Sequence, residues 1–395
     1  MTTVSRTLLV LVVLLVRAGS GQTDWTPQAS GVTVTLRGVA CAGPDSAWVV
    51  GDSGTILRTT NNGQDWTPQA SGTTADLRGV SFVDSRNGWA AGAGPVILRT
   101  TDGGSSWESQ VPGTANGLRG IVFADPNRGW AVGDAGTIIG TTDGGSTWAS
   151  EISGVFGLFA GVAAAAPSSA WAIGSDPFGG VAPVYHYDGT GWTRQHDITR
   201  NRDGRGVAVT GGAFLWAIAD SGTVSHSTDR GENWVEQNSG TEADLGGVSA
   251  VSAGHCWVAG AGGVIRRTGD GGASWQADVS ESVSDLYGLC MLDSVNGRAA
   301  GTDGRILYRT GGVAVEERAG AVPAGRGATL VGSELRLGLP AGERVEFRLY
   351  DASGRLVRSL RPGPTLSLAG IPAGTYLLGI SGAGRQEWLR FVKCN

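Results

Sequence analysis

Arginine is the residue type whose placement most suggests chemistry. Arg37, Arg78, Arg119 and Arg205 each open a short strand-like stretch at one recurring position. Asp52, Asp134 and Asp220 follow in a later loop of the corresponding unit, whereas the second unit has Ala93 in that place. Guanidinium groups grip carboxylates and phosphates in a two-pronged geometry. Two readings follow: structural Arg–Asp pairs inside each unit, or a cluster that contacts an anionic or carboxylate-bearing partner. Arg78 opposite Ala93 favours the second. Irregular segments near the fourth and fifth units add Phe178, Arg200 and Arg202 as candidate binding residues, in loops read as Gly174–Ala182 and 194–205. Other chemistry finds little support. His186 and His226 occupy matching places in adjacent units, but no metal-ligand spacing, no Gly-x-Ser-x-Gly elbow and no phosphate loop is present. No catalytic residue, metal or cofactor is assigned.

These residues sit on a repeat. Trp25, Trp66, Trp107 and Trp148 are spaced by 41, and Trp192, Trp234 and Trp275 continue at 44, 42 and 41. A second series runs through Trp48, Trp89, Trp130, Trp171, Trp216 and Trp257. Each unit reads as four short strands joined by Gly/Asp/Asn turns, as in Leu77–Phe82, Asn87–Ala91, Val96–Thr100 and Trp107–Gln110. That period and strand content describe a propeller blade. Seven first strands begin near Leu36, Leu77, Leu118, Leu158, Arg205, Leu245 and Leu286. The seventh unit lacks a fourth strand, and Asp24–Gly31 repeats the Asp65–Gly72 octet residue for residue. The expected fold is therefore all-β: a seven-bladed β-propeller closed by its N-terminal strand, which removes two exposed sheet edges. The arginines would then ring one mouth of the central channel.

The turn Thr-Thr-Asp-Gly-Gly-Ser-Thr-Trp at 141–148 recurs around Asp102, Asp143, Asp229 and Asp270. It resembles the Asp-box of sialidase-type propellers. An Asp there can accept amides within its own turn, and the glycines supply positive φ. A feature repeated blade after blade reads as a hairpin lock, so these aspartates are structural turn residues. The whole unit, Leu-Arg-Gly-Val, Gly-Trp-Ala-Val-Gly-Asp, Gly-Thr-Ile and Arg-Thr-Thr-Asp-Gly-Gly, resembles the propeller family of photosystem II assembly factors over about residues 24–312. That resemblance implies a non-enzymatic, chaperone-like binder that uses clustered arginines. Its partner would be a protein or another anionic ligand. The alternatives are a sialidase-like glycoside hydrolase and a true photosystem II assembly chaperone.

Composition narrows the class. The 395 residues include 67 glycines without a collagen period, 41% are hydrophobic and only 16% are charged. This composition argues against disorder, and a net charge of −5 argues against nucleic acid as partner. Residues 1–21 read as a secretory signal peptide: Arg6, the apolar run Leu8–Val16, then Ala18-Gly19-Ser20. The run is too short to cross a bilayer, which needs about 20 residues, and none follows in the mature chain. The expected location is secreted or cell-surface. The propeller spans 22–312, a linker 313–330, and a small antiparallel β-sandwich 331–395. The last segment resembles the C-terminal sorting domain of type IX-secreted proteins, through Leu349-Tyr350-Asp351, Gly354-Arg355-Leu356-Val357, Ile371-Pro372-Ala373-Gly374-Thr375-Tyr376 and Phe391-Val392-Lys393. That resemblance implies secretion machinery as a second partner and speaks against a photosystem role. Cys41, Cys256, Cys290 and Cys394 allow several pairings, and isolated buried thiols are the simplest expectation.

Overall fold

The computed structural model describes residues 24–151, 157–176, 178, 180–198, 203–280 and 282–309, and beyond them the strand backbone between Ala328 and Lys393. The first 21 residues and Cys394 lie outside that set. Short apolar stretches punctuated by glycine fold as expected into four-stranded antiparallel sheets, seven in the propeller. Blade two is representative, with strands Leu77–Phe82, Gly88–Gly92, Val96–Thr100 and Glu108–Gln110 running outward from the axis. The second strands of blades one, two, three and six are buried at every residue because neighbouring blades cover both faces. The fourth strands are the most exposed, which explains their polar sequences. Among the described residues the only helical segments are four single 3-10 turns, each between the second and third strands of a blade.

Tryptophan columns weld the blades together. Trp48 stacks on Phe82 of the next blade at 3.6 Å, and Trp89 stacks on Phe123 at 3.5 Å. The guanidinium groups of Arg58 and Arg99 lie over those indoles, 5.5 and 5.7 Å from the ring centroids. Such ring pairs contribute about 0.5–1.5 kcal/mol beyond the area they bury. His186 and His226, considered as metal ligands, instead stack on Trp171 and Trp216 of their own sheets. Among the described residues no group of three His, Cys, Asp or Glu could hold a metal ion.

The outer tryptophans of blades one to three tie each of those blades to the one before it. Trp66, Trp107 and Trp148 donate their indole N–H to Gln28, Gln69 and Gln110 at 3.1, 3.2 and 3.3 Å. A glycine is required at the contact: a Cβ on Gly104, whose φ is +92°, would lie 2.1 Å from the Gln69 amide oxygen. The same device closes the ring. Trp25–Gln28 pairs antiparallel with Ile306–Arg309, placing Trp25 opposite Arg309. Trp25 is fully buried and donates to Asp278 at 3.1 Å, in the place that glutamine fills elsewhere. The buried Asp278 carboxylate also binds Arg267 at 2.6 Å and Arg309 at 3.0 Å.

A second compact unit begins at Gly311. It contains a three-stranded sheet of Ala328–Val331, Glu334–Leu337 and Thr365–Ser367. A four-stranded sheet is built from Glu346–Asp351, Leu356–Leu360, Gly374–Gly382 and Arg385–Lys393. All pairings are antiparallel. Ala328 is already in strand, inside the stretch read as linker from 313 to 330.

Candidate functional site

The first strand of every blade carries a bulge at its outset. In blade one Leu36 pairs with Gly51 and Gly38 with Val50, so Arg37 is skipped. The same slip skips Arg78, Arg119, Ala160, Arg205, Gly246 and Tyr287. A bulge re-aims the side chain it releases. Here all seven skipped residues line one cavity of about 470 Å³ at the channel mouth. The glycine after each bulge is needed because the first strands crowd the axis: a Cβ on Gly161 would come within 2.9 Å of Gly206 Cα.

The structure therefore brings Arg37, Arg78, Arg119 and Arg205 together, and it corrects the reading of blade four. Counted from Leu158, where the first strand is expected to begin, the position one residue on is Phe159; the residue equivalent to the arginines is instead Ala160, and Phe159 is fully buried. Other expectations change too. Arg194 and His196 belong to the strand Trp192–Ile198 rather than to a loop, and Arg194 pairs with Asp197 at 2.6 Å and Asp176 at 3.4 Å. The loop expected over Gly174–Ala182 is shortened, since Ser169–Ser175 and Ala182–Tyr187 are strands. Phe178 is 87% exposed and does not line the cavity. Arg200 and Arg202 lie outside the described residues.

The structural reading holds for three of the four arginines. Arg37 grips Asp52 with Nε and Nη2, the latter at 3.0 Å, and these bonds raise its pKa above the ordinary value. Arg119 Nε donates to Asp134 at 2.6 Å, and Arg205 Nε to Asp220 at 2.6 Å. The Asp220 bond likewise raises the pKa of Arg205. Arg78 has no such carboxylate among the described residues, because Ala93 occupies the turn. Its buried Nη1 has no hydrogen-bond partner. Burial, and then the charge of Arg119, push its pKa below the ordinary value. An unsatisfied cation among like charges is an electrostatic invitation to an anion.

Sequence reasoning missed the rest of the lining. Tyr287, 36% exposed, stands at the arginine position of blade seven, with the Arg37 guanidinium 5.9 Å from its ring centroid. Asp244 and Asp285 also line the mouth, and each accepts a turn amide, from Ser221 at 2.9 Å and Gly262 at 2.8 Å. The 41-residue interval from Gly246 to Tyr287 was the available signal for Tyr287.

On the opposite side, the box aspartates are absorbed by their own turns. Asp143 accepts the Thr147 amide at 2.9 Å and the Thr147 hydroxyl at 2.6 Å, with Thr141 Oγ1 donating at 2.9 Å. Asp102 and Asp270 repeat this with serines, and Asp229 with Asn233. These bonds hold Asp102, Asp143 and Asp270 at a pKa of about 2 and lower that of Asp229.

Comparison with known proteins follows this geometry. The model of the family "Photosynthesis system II assembly factor YCF48" matches residues 18–310. A structure of YCF48 bound to D1 peptide is 24% identical, with TM-score 0.62, over 74% of this chain and 96% of that one. YCF48 from Cyanidioschyzon merolae is 23% identical, with TM-score 0.60, over 72% and 98%. The WD40 propeller domain of Doa1 is 13% identical, with TM-score 0.55, over 73% and 97%. No curated protein matches the chain.

Proposed function

The chain belongs to the photosynthesis system II assembly factor YCF48 family, and from that premise we propose that it is a non-enzymatic binding propeller whose arginine-ringed mouth captures a carboxylate of a protein partner. One observation carries this reading: Arg78 presents an unpaired guanidinium in a cavity that Arg37, Arg119 and Arg205 also line. Those three are held in place by their aspartates, so the cluster is preorganised. Arg78 then supplies the charge that a bound carboxylate neutralises. A family member has been solved with a peptide bound, which supports a protein segment over a free anion. Phe178, exposed on the loop between the second and third strands of blade four, is offered as an additional apolar contact for that partner.

The protein is further proposed to act outside the cytoplasm. Arg6, Leu8–Val16 and Ala18-Gly19-Ser20 support export, and the sequence of 331–395 supports a sorting or anchoring module. No helix among the described residues is long and apolar enough to cross a membrane. A sialidase-like glycosidase would need a tyrosine–glutamate pair. Tyr287 instead faces Arg37, and the carboxylates lining its cavity are the aspartates Asp244 and Asp285.

The test is capture from the source organism's envelope by the wild-type protein and by the quadruple variant Arg37→Glu, Arg78→Glu, Arg119→Glu, Arg205→Glu. The expected outcome is a partner retained by the wild type and absent with the variant. Equal retention by a folded variant would refute the site.

A further inference from the structure

The seam where the ring closes differs from the other seams. The inner tryptophan series, spaced by 41 from Trp48 to Trp130 and again from Trp216 to Trp257, continues to position 298, where an arginine stands. Arg298 is fully buried. Its Nη2 donates to Pro44 carbonyl at 2.9 Å and to Asn62 Oδ1 at 2.8 Å, both in blade one. The Tyr308 ring lies 5.1 Å away. Its Nε has no hydrogen-bond partner, and no carboxylate forms an ion pair with it among the described residues. A buried cation lacking an anion is costly.

Sulfur is what stands beside it. Arg298 Nη1 lies 3.9 Å from Cys41 Sγ, and Arg298 is the cross-strand partner of Cys290. Cys41 and Cys290 are joined by a disulfide that crosses from blade one to blade seven, 249 residues apart, with Cα atoms 6.3 Å apart. The expectation of isolated thiols is therefore corrected for this pair; among the described residues it holds for Cys256, which is fully buried. Both bridged cysteines are only half-buried.

We propose that Cys41–Cys290 is a reversible redox latch on ring closure, with Arg298 as the positioning residue that receives the charge of the opened Cys41 sulfur. The co-reactant class is a dithiol. Its thiolate attacks Cys290 Sγ, the S–S bond breaks, and Cys41 leaves as a thiolate beside Arg298. The second thiol of the reductant resolves the mixed disulfide. Two electrons and two protons pass from the dithiol to the cysteine pair, and the reductant departs as a disulfide. A guanidinium neighbour favours the thiolate, which selects Cys41 as the leaving sulfur. Reduction leaves the backbone pairing of Trp25–Gln28 in place but removes the covalent tie, so the closed ring opens more readily.

The test uses the full chain purified without reductant, iodoacetamide labelling with peptide mass analysis, and thermal unfolding. Before reduction, folded protein is expected to yield a linked 41–290 peptide and no label at either cysteine. Dithiothreitol at native temperature should open the bridge, label both residues and lower Tm by roughly 10 °C. Oxidised dithiothreitol should restore the starting Tm. In the reduced protein Arg298→Met should slow Cys41 labelling at pH 7 by about tenfold, while Arg298→Lys should stay within about threefold of wild type. Should Arg298→Met fail to fold, the wild-type labelling and the double variant Cys41→Ser, Cys290→Ser still decide: that variant should melt with the reduced protein and ignore dithiol. Labelling of both cysteines before reduction, a bridge that opens only on unfolding, or a folded Arg298→Met labelled as fast as wild type overturns the proposal.

Discussion

Arg78 and Arg37 occupy the same repeat position and have opposite energetics. Arg37 is satisfied by Asp52, and the pair is about a third exposed. Arg78 is half-buried, and burial first, then the charges of Arg119 and Arg37 against those of Asp134 and Asp76, make its cation less favourable than a free one. Truncating Arg37 leaves Asp52 without its cation, whereas truncating Arg78 removes a partly buried cation that has no carboxylate bonded to it. Urea unfolding should therefore show Arg37→Met destabilised by about 0.5 kcal/mol, a figure small because solvent screens the pair. Arg78→Met should unfold at an equal or higher urea midpoint. A larger loss for Arg78→Met than for Arg37→Met would mean that Arg78 has a structural partner.

Hairpins are the elements that hold this frame, and their locks titrate. The box carboxylates of Asp102, Asp143 and Asp270 have a folded pKa of about 2 against an ordinary 3.8. A depressed carboxylate pKa contributes stability that is present above the ordinary value and lost as pH falls through the folded one. Tm should hold steady above about pH 5 and drop between 3.8 and 2. Asp143→Asn should flatten part of that drop, and an unchanged acid profile would remove the box from the stability account. These elements were legible in the sequence because each lock is local: Thr141, Asp143 and Thr147 lie within one turn. The pairing of Arg37, Arg119 and Arg205 with aspartates fifteen residues later could also be anticipated, since both ends belong to one blade. The bulge was not legible, because a skipped residue is defined by the partner strand. That is why Phe159 rather than Ala160 was set against the arginines. Arg298, standing on the tryptophan interval, and the Cys41–Cys290 bridge escaped for a related reason: their partners lie across the closing seam.

At the scale of the molecule, closure was the most legible feature, because the Asp24–Gly31 octet duplicates Asp65–Gly72 and Trp25 takes its place opposite Arg309. Closure is also what creates the mouth, since residues from Arg37 to Tyr287 face one cavity only when the first and last blades meet. The chain as a whole carries a net charge of −5, so its long-range field repels anions. Under the proposed function, affinity for an acidic partner comes from the local arginine ring, and salt should weaken it by screening the contact. Calorimetric titration of an acidic hexapeptide with a free C-terminal carboxylate, at low and high salt, into wild type and Arg78→Gln tests this most directly. The account predicts salt-sensitive binding to wild type and at least a roughly tenfold loss in the variant, about 1.4 kcal/mol. Equal affinity for the two proteins, or no binding to either, would contradict it.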